Sequence, residues 1–221
     1  MGNMKYDAVI FDKDGVLLDS ALNNFLWMDK VRMNEAQKMG LDFTIDDSRR
    51  VVHAENVTQI EKFLYQKDMS WDQLEEIERR VQNRKERMID SGNIRLFPQV
   101  KNVLDNLKVP KALVTNAPWS TTEFTLNHFE LQPYFRDVQA PRMSPIKGYF
   151  SQKKPQPDMI QNAIRKIDAE NPVMVGDTST DVRAAKNAGI DAIQVTAYGN
   201  DRVHSADHII KELSELKVYL N

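Results

Sequence analysis

Two aspartates one residue apart, Asp12 and Asp14, close the apolar run "AVIF" and are followed at once by Gly15. Like charges this close repel. A convergent pair makes sense if a hard divalent cation lies between them or if one carries a proton; otherwise it is a solvated pair of turn acids. A second apolar run, "VMVGDTSTD", also ends in acids, Asp177 and Asp181, and its Gly176 permits close backbone approach. Asp181 falls one helical turn into the next element and faces back toward Asp177. A third run, "KALVTNA", ends in Thr115 and Asn116, which offer a hydroxyl, an amide and backbone N–H donors. Acids beside neutral donors are the composition of a Mg²⁺-phosphate site, because Mg²⁺ takes oxygen ligands from a few carboxylates, water and phosphate. Lys154, in the loop "KKPQPD", supplies the fixed positive charge such a site needs.

These residues need elements to hold them. Residues 5–11 read as a short buried strand. From about 20 to 92 the pattern is helical: Leu22, Phe25, Leu26, Met28 and Met33 recur at helical spacing, as do Val57, Ile60, Phe63 and Leu64. "SWDQLEEIERRVQNRKERMIDSG" reads as one complete helix, with Ser70 as N-cap and Gly92 near its end. After Phe97-Pro98 strands and helices alternate: helix "PQVKNVLDNLK", strand "KALVTNA", helix "WSTTEFTLNHF", a helix over 155–167, strand "PVMVGD", helix "TDVRAAKNAG", strand "DAIQV", the short run "HII", and a helix near 211–219. Strands separated by helices predict an α/β, Rossmann-like parallel sheet with helices on both faces, and ligands outside its carboxyl ends. The expected organisation is a core from 1–18 and 96–221 with an all-helical insertion over 19–95.

Composition narrows the function classes. The chain has 221 residues, 41% hydrophobic and 28% charged, with a formal net charge of −2. That balance gives no general attraction for nucleic acid or an anionic membrane. Cysteine is absent, which excludes disulfides and thiolate chemistry and fits a cytoplasmic location. No run reaches the roughly 18 apolar residues of a membrane span. The N-terminal residues lack a signal-peptide layout, and Tyr6 spoils the myristoylation pattern that Gly2 opens.

Taken together, four segments resemble the motifs of the haloacid dehalogenase-like (HAD) superfamily of hydrolases: "FDKDGVLLDS", "LVTNA", "KKPQPD" and "VGDTSTD", in that order. The similarity covers about 1–18 and 96–210, and the insertion has the position and helical character of the cap in phosphoglycolate phosphatase-like members. The resemblance implies a phosphatase acting on a small phosphorylated metabolite. Asp12 would be the nucleophile that forms an aspartyl-phosphate, and Asp14 the acid and then base, its protonation favoured by the neighbouring negative charge. Thr115 and the Asn116 backbone would hold phosphoryl oxygens, and Lys154 would balance charge. Mg²⁺ would be held by the Asp12 side chain, the Asp14 carbonyl and Asp177, with Asp181 ligating through water or orienting Lys154. Asp14 argues against dehalogenation, since the dehalogenases lack it. Two positions depart from the pattern: Lys153 stands where glycine usually precedes the lysine, and Gln99 where glycine commonly follows the proline. Lys13 has no expected role.

Candidate readers of the leaving group are Arg49, Arg50 and His53, against the simpler reading of an exposed helix start. "RRVQNRKER" reads as a solvated helix face, Trp119 as packing at a helix start, and the methionines as core filler. A phosphosugar mutase of the β-phosphoglucomutase type is the alternative. That branch carries a histidine about twelve residues beyond the nucleophile, where Asn24 stands here. A non-catalytic phosphate-binding protein is a third, weaker possibility. The expected state is a monomer or a homodimer.

Overall fold

The structure, a computed structural model, describes residues 6–21, 25–196 and 201–220. Leu22 and Asn24, which carry part of the helical spacing and of the mutase comparison, lie outside them. Six parallel strands, β1 (Ala8–Phe11), β2 (Lys111–Val114), β3 (Asp137–Gln139), β4 (Pro172–Gly176), β5 (Asp191–Val195) and β6 (His208–Ile210), form one sheet in the order β3-β2-β1-β4-β5-β6. The chain winds from β1 out to β3, then returns beside β1 as β4 and winds the other way. The carboxyl ends of β1 and β4 therefore flank the switch point, where parallel sheets bind ligands.

Alternation along each strand divides the core into two layers. Val9 and Phe11 of β1 face one way with Leu113, Val173, Val175 and Ile193, and pack against α5 (Val100–Asn106), α6 (Trp119–His128) and Leu213, Leu216 and Leu220 near the C-terminus. Ala8 and Ile10 face the other way, where Ala112, Val114 and Met174 meet α8 (Asp158–Ile167) and α9 (Ser179–Ala188). Burial of strands on both faces is why these runs are continuously apolar.

Four helices lie between β1 and β2 ahead of α5: α1 (Leu26–Lys38), α2 (Ile45–Val52), α3 (Val57–Gln66) and α4 (Trp71–Asp90). Capping boxes at Thr44 and Ser70 start α2 and α4. They share a third apolar cluster, including Ala36, Phe43, Ile60, Phe63, Leu74 and Ile77. Ile146, Tyr149 and Phe150 of α7 (Ile146–Gln152) join that cluster, although α7 lies beyond the expected boundary near residue 95.

The strands and long helices fall where the sequence places them, with shorter ends. Among the described residues β3 and α7 were not anticipated, nor was the 3₁₀ turn Gln132–Tyr134 before β3. The C-terminal helix is a 3₁₀ turn (Leu213–Leu216) running into α10 (Lys217–Leu220).

Candidate active site

Most of the predicted site residues of the core stand just past strand ends, with Asp181 in the first turn of α9 and Lys154 in the loop after α7. Asp12 follows β1, its N–H donating to Val175 O at 2.8 Å, so the ladder to β4 continues one residue past the strand. Thr115 follows β2, and Asp177 follows β4. Asp181 sits in the first turn of α9, where its Oδ2 accepts from the Thr178 N–H (3.0 Å) and hydroxyl (2.6 Å) in a capping box. Two glycines make this proximity possible. Gly15 adopts φ +82°, and a Cβ there would stand 2.1 Å from Asp177 Oδ2; one on Gly176 would stand 2.2 Å from Asp181 Cβ.

Lys154 ties the cluster together. Its Nζ lies 2.7 Å from Asp12 Oδ1, 2.5 Å from Asp181 Oδ1 and 2.9 Å from Val114 O. Asn116 holds the Lys154 backbone at both ends: its Oδ1 accepts from Lys154 N–H at 2.7 Å, and its Nδ2 donates to Lys154 O at 3.1 Å. The Asn116 amide is thus occupied in positioning Lys154. Thr115 Oγ1 accepts from Ala117 N–H at 3.1 Å, which leaves its hydroxyl proton to donate into the cavity.

Oxygens of Asp12, Asp177 and Asp181 approach within 4.8 Å of one another, and all three residues are buried. Three carboxyl groups against one lysine give this cradle a formal excess of acid over base. Burial, opposed by Lys154 and reinforced by Asp181 and Asp14, pushes the Asp12 carboxyl up to about 6. Burial and the charges of Asp181 and Asp12 push Asp177 well above the usual range. Burial would weaken the Lys154 ammonium, but Asp12 and Asp181 outweigh it and raise its pKa. A buried set of hard oxygen donors with uncompensated negative charge fits Mg²⁺.

Asp14 differs from the sequence expectation. Among the described residues its hydrogen-bond and ion-pair partners are cations and a hydroxyl, not a carboxylate. Lys85 donates to Oδ1, Ser20 donates to the same oxygen at 2.7 Å, and Lys13 Nζ lies 3.7 Å from Oδ2. Burial would raise this carboxyl, but Lys13 and Lys85 outweigh it and hold it well below the usual range. Lys13 and Lys85 favour ionisation, whereas the sequence reading expects neighbouring negative charge to favour at least transient protonation.

Lys85 is the main site residue missed in the sequence. It belongs to "RRVQNRKER", read there as a solvated face. Arg79 and Arg80 are exposed and pair with Glu76, but Glu78, Gln82 and Lys85 are buried along the inner side of α4. They fall in phase with Leu74, Ile77, Val81 and Ile89, and that phase was the available signal. Glu78 is held bidentately by Arg32 of α1 at 2.6 and 3.0 Å.

The cluster opens into a cavity of about 310 Å³ between the strand ends and the inserted helices. Arg49 and His53 line it, as do Asp29, Gln82, Lys85 and Lys153. Arg49 lies 3.6 Å from Asp29 and is half exposed. Arg50 turns away, donating to Gln66 at 2.6 Å and covering the Phe63 ring at 5.0 Å. Trp119 is outside the lining.

A doubly wound parallel sheet with an acid-lysine cluster at its switch point places the chain among the α/β proteins that bind ligands outside the carboxyl ends of their strands. Residues 9–195 match the model of the haloacid dehalogenase-like hydrolase family, and the chain belongs to that family. It is 28% identical over 192 residues to a phosphorylated carbohydrates phosphatase of Thermotoga maritima, covering 85% of this chain and 83% of that one. Identity is also 28% over 197 residues to a phosphoglycolate phosphatase of Rhodobacter capsulatus, covering 86% and 84%. The crystal structure of CbbY from Rhodobacter sphaeroides in complex with phosphate shares the fold, with a TM-score of 0.75 at 22% identity, covering 97% of this chain and 99% of that one.

Proposed function

We propose that the chain is a Mg²⁺-dependent phosphatase that hydrolyses a small phosphorylated metabolite through a phospho-enzyme on Asp12. The observation that carries this reading is Lys154 joining Asp12 to Asp181 beside Asp177, at the mouth of a cavity large enough for only a small ligand. The phosphatases among its relatives support the same reaction class.

In this reading Asp12 attacks phosphorus, the bond to the leaving oxygen breaks, and Asp14 supplies that oxygen with a proton. Asp14 then takes a proton from the water that attacks the phospho-enzyme, releasing phosphate and restoring Asp12. Lys13 and Lys85 favour the ionised form of Asp14, the form the second step needs. Donating in the first requires Lys85, carried on α4, to move off it so that the carboxylate takes up a proton from water before the leaving oxygen needs it. The Thr115 hydroxyl and Asn116 N–H bind phosphoryl oxygens, and Lys154 neutralises charge shared between Asp12 and the phosphoryl group. Asp12, Asp177 and the Asp14 carbonyl would hold Mg²⁺. Both Asp181 oxygens are engaged by Lys154 and Thr178, which suits a role in orienting Lys154. When bound, the metal supplies positive charge against the phosphoryl oxygens. The inserted helices would cap the site, with Arg49 at its rim to bind substrate.

The test is phosphate release from a panel of phosphorylated metabolites with and without Mg²⁺. Asp12→Asn is expected to lower release at least about a thousand-fold. Undiminished release in that variant defeats the proposal, and isomerisation dependent on a bisphosphate establishes a mutase instead.

A further inference from the structure

Charge in the cavity is matched almost everywhere to a protein partner. Lys154 lies between Asp12 and Asp181, Lys85 and Lys13 face Asp14, Arg32 is engaged by Glu78, and Arg49 stands 3.6 Å from Asp29. Arg183 pairs with Glu55. Lys153 is different. It follows α7 directly, lines the same cavity, and its ammonium makes no ion pair or hydrogen bond with any described residue.

What surrounds that ammonium is aromatic: the ring centroids of Phe150 and Tyr149 lie 5.0 and 5.2 Å away. The carboxylate whose charge acts on it is Glu78, already held by both arms of Arg32. Burial pulls the Lys153 pKa down to about 8. A partly buried cation over aromatic faces, with no anion of its own, is an incomplete pair that a ligand anion would complete. Its direction is also informative. Lys154 reaches into the sheet side toward Asp12, whereas Lys153 lies over rings that pack with the inserted helices. In the phosphatase reading, in-line attack by Asp12 points the leaving group away from the strand ends toward the inserted helices, the side on which the rings at Lys153 pack.

We propose that Lys153 determines substrate specificity by pairing with a second anionic group, a carboxylate or another phosphate, on the leaving-group side of a short phosphomonoester. The proposal rests on the phosphatase reading of the same cavity and narrows its substrate class. It assigns a role to the position where this chain carries lysine in place of the usual glycine.

The experiment measures binding in an Asp12→Asn background, so that it needs no turnover. Three probes are titrated calorimetrically: ethyl phosphate, 2-phosphoglycolate and propane-1,3-diol bisphosphate. In that background, Lys153→Met is expected to weaken one or both doubly anionic probes by about 10- to 100-fold, the range of a charge-assisted hydrogen bond. The loss should be at least about ten times larger than for ethyl phosphate, and Lys153→Arg should recover part of it. Loss confined to 2-phosphoglycolate identifies a carboxylate, and loss confined to the bisphosphate a second phosphate. Equal losses for all three probes, or no loss for either doubly anionic one, overturn the proposal. Lys153→Gln repeats the comparison should the methionine variant not fold. Failure of the phosphatase reading shows separately, as absence of phosphate release by the unaltered enzyme, while the binding ratios still report on Lys153.

Discussion

Asp14 Oδ1 accepts from both Lys85 and Ser20, and Lys13 stands on the opposite side of the carboxylate. Because the folded-state pKa is depressed, the group stabilises the fold above its unfolded value, near 3.8, and that contribution is lost as pH falls toward the folded value. Lys85→Met should therefore cost about 3 kcal/mol at neutral pH, the low end for a broken buried pair because Lys13 and Ser20 remain. Urea melts should show the gap from the unaltered protein closing below about pH 4; a gap that stays constant there would rule out the Asp14 contact as its source. Asp12, Thr115, Asp177 and Lys154 were legible in the sequence, since each follows an apolar run or precedes a proline at a motif position. Lys85 was not, because its arginine neighbours dominate the local pattern while its partner lies 71 residues away.

At the scale of elements, the β4–α9 turn is built around missing side-chain volume. Gly176→Ala would press a methyl group against Asp181 Cβ. Overpacking of this kind costs about 1–3 kcal/mol, and phosphate release should fall further than stability does because Asp181 orients Lys154. Parallel melts and assays check this; equal losses would place the effect in packing alone. The same scale explains why β3 and α7 were unanticipated. β3 is a three-residue edge strand, Asp137–Gln139, half-buried throughout and with a single apolar residue, so neither alternation nor an apolar run marks it. α7 spans only seven residues with Gly148 among them, and its apolar side is completed by helices far earlier in the chain. The longer helices carried their own signals, such as the Ser70 capping box.

For the whole molecule, the cradle of Asp12, Asp177 and Asp181 concentrates negative charge at the centre of the fold. The folded-state values of Asp12 and Asp177 are raised, so their contribution to stability is greatest when protonated and is lost as pH rises through those values, about 6 for Asp12. Metal-free protein should gain stability as pH falls from about 7 toward 5, relative to an Asp177→Asn variant in which one of the charges is absent. Millimolar Mg²⁺ should raise the melting temperature at pH 7.5, since a ligand bound only by the folded state stabilises it. The same addition should do little for Asp177→Asn. Melts in chelator and in Mg²⁺ at both pH values test this; an equal Mg²⁺ shift in the variant would remove Asp177 from the metal site. The wound sheet was legible from alternating strands and helices, whereas the joining of α7 to the inserted helices depends on contacts across the chain.

Lys153 and Lys154 are consecutive, so their Cα atoms stand about 3.8 Å apart whatever the inserted helices do. One side chain is fastened to Asp12 and the other lies over the rings of Tyr149 and Phe150. If Lys153 pairs as proposed, a single peptide unit would work as the spine of a caliper, with a jaw at each end of the substrate. Compounds would be sorted by their length between charges, a measure written into covalent geometry and retunable at one jaw without disturbing the other.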